Sequence, residues 1–193
     1  MRLWRLFALA FLPVVLAACG SSTIPDTPVP RAAKAQTATL DWVESAGAPG
    51  SKLVLRVQRF TVTHDGWRAE LSVTNDTSST FTIERGVDTP DFGFGVMLFG
   101  TGSHAELEQR NAQGDLPVLR RATAFAPPLP ASLGPDTTWN GAASGPGALP
   151  GGLWVRFVFG AFAPRGAMPQ SLSKQGVRDF LIWITDHTHR LRT

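Results

Sequence analysis

From position 53 the chain alternates between apolar and other residues. Leu53, Leu55 and Val57 share one parity, and Phe60 and Val62 then carry the apolar phase on the other. A period of two belongs to a strand with one dry face, and the change of parity predicts a bulge near Gln58 and Arg59. His64-Asp65-Gly66 follows. Asp-Gly between two alternating runs predicts a tight hairpin, because glycine accepts a positive φ at little cost. Beyond it Trp67, Ala69, Leu71 and Val73 share one face while Arg68, Glu70, Ser72 and Thr74 share the other. That is the pattern of an antiparallel strand packed on one side and solvated on the other. Asn75-Asp76-Thr77-Ser78-Ser79 predicts the next turn, and residues 81–85 a third strand of the meander.

Residues 92–99 are apolar on both parities, which predicts a covered, central strand whose glycines allow close backbone approach. Residues 100–119 are polar and loop-like, with one or two helical turns over 105–111. The prolines of 127–130 and 134–136 cannot lie inside a sheet, because proline lacks the ladder donor, so this stretch crosses between layers or follows an edge. Residues 137–143 and 153–162 read as strands joined by a Gly/Pro-rich turn region. Residues 171–178 read as a short helix, and 180–185 as the last strand, with Phe180, Ile182 and Ile184 on its core side. Seven or eight short strands separated by turn chemistry predict an all-β fold, an antiparallel β-sandwich of the immunoglobulin-like kind, with an open barrel as the alternative. Leu133-Gly134-Pro135-Asp136-Thr137-Thr138-Trp139, with Leu149 to Arg156 after it, resembles the last hairpin of immunoglobulin-like domains in bacterial surface lipoproteins. That resemblance, in style over residues 50 to 190, implies the same fold here.

The first residues follow a different pattern. Arg2 and Arg5 precede an apolar run over 6–16, which is short of the ~20 residues a spanning helix needs. Leu16-Ala17-Ala18-Cys19-Gly20 comes directly after and resembles the lipobox of bacterial lipoproteins. The resemblance implies cleavage before Cys19, a diacylglyceryl thioether on its sulfur and an acylated amino terminus. Gly20 in place of Asp implies no inner-membrane retention signal in a two-membrane bacterium. The expected organisation is a signal peptide over 1–18, a lipidated N-terminus and flexible tether over 19–50, and the β-sandwich domain over 51–193. Within the tether, residues 21–39 are rich in Ser, Thr, Pro and Ala and read as an extended spacer, with 32–43 forming a weak helix or a first strand. The expected location is the cell membrane or outer membrane, facing periplasm or exterior.

Composition narrows the function more than it defines it. Across 193 residues, 43% are hydrophobic and 17% charged, a balance that folds one compact core. Once Arg2 and Arg5 leave with the leader, sixteen basic residues face fifteen acidic ones, and the longest basic run is Arg120-Arg121. Such a chain lacks the clustered patch of a nucleic-acid binder. Cys19 is the single cysteine, so no intrachain disulfide supports the domain. Neither a phosphate-binding loop nor a dinucleotide fingerprint is present, and no cofactor is expected.

Three groups of residues invite chemistry. His187 and His189 lie two apart, so on a strand both rings reach one side and could hold a metal, although no third ligand is fixed by the sequence. Ser103 beside His104 suggests a cryptic hydrolase, but Gly100 to His104 does not form a nucleophile elbow. Asp88 and Asp91 flank Pro90 in what reads as a turn. Among the tryptophans, Trp67 and Trp154 sit in strand patterns suited to core packing, whereas Trp139, next to turn residues, is the expected partner contact. The leading expectation is a non-enzymatic, membrane-anchored binding domain that presents loops or a sheet edge to an envelope partner. A metal-handling protein using His187 and His189 is the alternative.

Overall fold

The structure, a computed structural model, describes residues 31–83 and 93–193. One sheet contains β1 (Gln36–Ala48), β2 (Ser51–Val62), β3 (Gly66–Asn75), β9 (Thr137–Pro146) and β7 (Ala124–Ala126), hydrogen-bonded in that order. The other is built on β10 (Trp154–Pro164) and contains β4 (Phe81–Ile83), β5 (Gly95–Phe99), β6 (Arg120–Arg121), β8 (Ser132–Leu133), β11 (Leu181–Ile184) and β12 (His189–Arg190). Two helices, α1 (His104–Gln113) and α2 (Gln170–Ser173), complete the described elements. Every strand pairing is antiparallel, and the two sheets stack as an all-β sandwich. Among the described residues no helix is long and apolar enough to cross a membrane.

The period-two segment behaves as its sequence requires. Leu53, Leu55, Val57, Phe60 and Val62 of β2 are buried, and the parity changes at a register shift between Val57 and Arg59. Trp67, Ala69, Leu71 and Val73 of β3 face the same core. The hairpin between them closes through Thr63 N–H donating to the Gly66 carbonyl. Gly66, however, does not have a positive φ. It is glycine for a different reason, since a Cβ there would lie 2.6 Å from the Gly145 carbonyl oxygen on β9. The turn after β3 is held by Asn75, which is fully buried. Its amide donates to the carbonyls of Ser79, Leu133 and Gly134, and its oxygen accepts from the Thr77 N–H and hydroxyl.

Two expectations are corrected. The domain does not begin at residue 51: of the two readings of 32–43 the strand is the one formed, as β1, which pairs with β2 from Gln36 to Ala48 inside the stretch read as tether. The hairpin closes on Pro49-Gly50 with Gly50 at φ 77, the geometry of a type II turn. Nor is the core side of β11 Phe180, Ile182 and Ile184. Leu181 and Trp183 pack toward the main core, and Ile182 and Ile184 face the outer side of the sheet. The period cannot assign this strand, since both of its faces are apolar.

β10 is the pivot of the second sheet. Phe162 pairs with Ile83 and with Leu181, and Trp154 with Phe99 and with Arg190, so the strand is flanked along both edges. Its residues from Val155 to Phe162 are buried on both faces, the inner one against β2 and β3 and the outer one partly beneath α1. The proline-rich segment runs from β7 in one sheet to β8 in the other, crossing between layers as proline chemistry demands.

Candidate functional site

The residues singled out from the sequence separate in space. Cys19, and Asp88, Pro90 and Asp91, lie outside the described residues. Trp139 is 6% exposed, with its ring edge-on to Phe94 and Phe125, so the structure packs it in the core and not at a contact surface. Its place is made by Gly141, where a Cβ would lie 2.5 Å from the indole. His187 and His189 reach different partners. Nδ1 of His187 lies 2.8 Å from Glu44 and its ring stacks on Trp42, while His189 Nε2 lies 3.4 Å from Gln36 and its ring meets the edge of Phe60. Among the described residues no group of three or more His, Cys, Asp and Glu side chains converges as a metal site.

Ser103 and His104 are also engaged separately. Ser103 is the N-cap of α1, its hydroxyl accepting from the Glu106 N–H at 3.1 Å. His104 opens the helix, with Nδ1 3.0 Å from Asp186 and Nε2 3.2 Å from Glu108. Both ring nitrogens thus face carboxylates, and neither is directed to the Ser103 hydroxyl. Glu106 fastens the preceding loop by accepting from the N–H groups of Gly100 and Thr101 and from the Thr101 hydroxyl. Burial pushes its carboxyl up, but the bonds from Thr101, Gly100 and Arg110 outweigh this and hold it below the usual glutamate range. Gly114, at φ 67, ends the helix as a left-handed cap.

Beneath this helix lies Arg156, fully buried on the outer face of β10. Its guanidinium donates to the carbonyls of Thr185 and Asp186 at 2.6 and 2.7 Å and to those of Ser103 and Gly102 at 2.9 and 3.4 Å. It also lies 5.4 Å from the centre of the Phe99 ring. Desolvation lowers its pKa, and Asp186, Glu44 and Glu106 oppose the shift. One side chain therefore ties the start of α1 to the segment after β11, fixing His104 and Asp186 opposite each other. A second tie joins the sheets. Glu44 of β1 is buried and accepts from Trp183 Nε1, from the His187 N–H at 3.0 Å and from His187 Nδ1.

Between α1 and β11 these ties leave a groove of about 340 Å³. Leu107, Leu116, Ile182, Trp183 and Ile184 line its apolar part, and His104, Glu108, Asn111 and Asp186 its polar part. Leu107 closes one end on Met97, Phe99 and Val158, whereas Ile182 and Ile184 remain half-buried. Its size is at the lower end of small-ligand sites. Sequence reading missed Arg156 and Glu44; Arg156 carried a signal, as one charge inside an otherwise apolar strand run needs buried partners, whereas Glu44, between Asp41 and Ser45, carried none. Compared with family models, curated proteins and solved structures, the chain matches none.

Proposed function

We propose that this chain is a lipid-anchored, extracytoplasmic β-sandwich of immunoglobulin-like arrangement that works by binding a partner, not by catalysis. The partner docks in the groove between α1 and β11. One observation carries this reading: β11 turns Ile182 and Ile184 outward as an apolar row, both of them only half-buried. An outer sheet face is ordinarily polar, and an apolar row left open there gains stability when something covers it. The hydroxyl and imidazole that suggested catalysis have structural partners, as Ser103 caps a helix and His104 faces two carboxylates. Crossings between sheets from β3 to β4 and from β9 to β10 support the immunoglobulin-like arrangement. Anchoring rests on the lipobox at Cys19. Each buried methylene contributes about 0.8 kcal/mol, so two or three acyl chains hold where one does not.

The test places a photo-crosslinking phenylalanine at Phe180 or at Thr39 of the full chain in its own membrane. Phe180 lies two residues before Ile182 of the groove, and Thr39 is exposed on β1. A discrete adduct is expected from position 180 only, and it disappears in the Leu116→Glu form. Equal labelling from both positions, or turnover of any substrate in a hydrolase panel by the purified chain, overturns the reading. Radioactive palmitate retained by Cys19→Ser overturns the anchor.

A further inference from the structure

We infer that the groove between α1 and β11 takes a peptide segment carrying Lys or Arg beside an apolar side chain. This rests on the docking role proposed above and names the chemistry of its occupant. The apolar half of the groove asks for side chains to set against Leu107, Leu116, Ile182 and Ile184. Its other half is acidic. The Glu108 and Asp186 side chains are 69% and 57% exposed, on either side of His104. Of the cations on this face, Arg156 is buried beneath four carbonyls, Arg110 is shared between Glu106 and Asp115, and Arg190 lies over the Trp154 ring, outside the groove lining. A chain with nearly balanced charge therefore presents carboxylates around its open apolar surface. An acidic rim steers a cationic partner and repels an anionic one. A lysine or arginine stem, apolar along its length and charged at its tip, satisfies both halves of the groove at once.

His104 fits the same chemistry. Its two ring nitrogens both lie against carboxylates, and an incoming ammonium or guanidinium takes the place of the ring at either of them. The recognition is a surface one, so each ion pair contributes little, up to about fivefold in affinity. Apolar contact supplies the remainder.

The test uses the full chain in nanodiscs of zwitterionic phosphatidylcholine, with empty nanodiscs as the blank. Fluorescence anisotropy is read with three labelled peptides of alternating Leu-Lys, Leu-Glu and Ser-Lys. Saturable binding of Leu-Lys is expected, with Leu-Glu and Ser-Lys at least about tenfold weaker because one repels and the other lacks the apolar contact. Glu108→Gln and Asp186→Asn each weaken Leu-Lys up to about fivefold, and Glu108→Lys moves the preference toward Leu-Glu. Equal binding of Leu-Lys and Leu-Glu, no saturable binding, or indifference to the Glu108 and Asp186 changes overturns the inference. If the crosslink from Phe180 still forms in any of these cases, docking in the groove stands and only the cationic chemistry falls. If neither crosslink nor peptide binding appears, both fall.

Discussion

A guanidinium out of water is costly, and the chain tolerates Arg156 because four carbonyl oxygens receive it. Those carbonyls belong to two segments that no strand pairing joins, the loop before α1 and the turn after β11. Replacing Arg156 with Met keeps much of the volume but deprives the carbonyls of their donor and leaves the Asp186 and Glu106 carboxylates without their buried cation. The expected loss is about 1–3 kcal/mol, the cost of leaving buried acceptors unsatisfied, read as a lower urea midpoint at unchanged slope. Arg156→Lys recovers part of it, since an ammonium has donors but cannot fork across both segments. A loss under about 1 kcal/mol would show that the carbonyls find water instead. The position was legible in principle, because Trp154-Val155-Arg156-Phe157-Val158-Phe159 sets one charge in an apolar run. What the run does not give is the partner, as Gly102 and Thr185 lie some fifty residues before it and thirty after. Trp139 went the other way: its neighbours in sequence are turn residues, yet Phe94, just before β5, and Phe125 of β7 enclose it.

At the scale of elements, β2 and β3 were legible because each has one dry face, so parity carries information. β10 and β11 were legible as strands, at 153–162 and 180–185, but their faces were not, because α1 covers part of their outer side and both parities are apolar. β1 was obscured by its neighbours in sequence. Its apolar and polar residues alternate only from Ala38, a bulge at Asp41 breaks the register, and the Pro49-Gly50 signal that closes the hairpin falls within the presumed tether. This edge strand is blunted, because the Gln175 side chain pairs with both backbone groups of Gly47. Packing between β9 and the indoles makes a sharper prediction. Gly141 leaves Trp139 no spare room, whereas a Cβ at Gly134 would meet only the Thr137 methyl at 3.7 Å. Gly141→Ala is therefore expected to cost about 1–3 kcal/mol by overpacking. Gly134→Ala should stay within about 0.5 kcal/mol. Thermal melts of the two variants side by side check this, and equal melting points would mean the indole moves aside freely.

Acid acts on the whole molecule through groups whose protonation the fold opposes. His189 is held below its ordinary 6.5, first by burial beside Phe60 and β1 and then by the Arg192 charge. Glu106 is held below its ordinary 4.5, burial notwithstanding, by the donors of Thr101, Gly100 and Arg110. In both cases the unfolded chain binds the proton more readily than the folded one. Stability is then fully present above the unfolded pKa and is lost as pH falls through the folded pKa. The loss therefore comes in two windows, His189 acting below about pH 6.5 and Glu106 below about pH 4.5. Asp65 shifts in the same direction through its Thr63 bond and the adjacent His64, but it is fully exposed and its contribution is screened. Melting temperatures taken from pH 7 to pH 3.5 separate the two windows. His189→Gln, which keeps a neutral polar side chain facing Gln36, should flatten the upper window and leave the lower one in place. Glu106→Gln should do the reverse. The other three histidines are common to the wild type and His189→Gln, so they cancel in the difference. A melting temperature whose pH dependence between 7 and 5 is the same in the wild type and His189→Gln would mean that the seam where β12 meets β1 admits a charged imidazole.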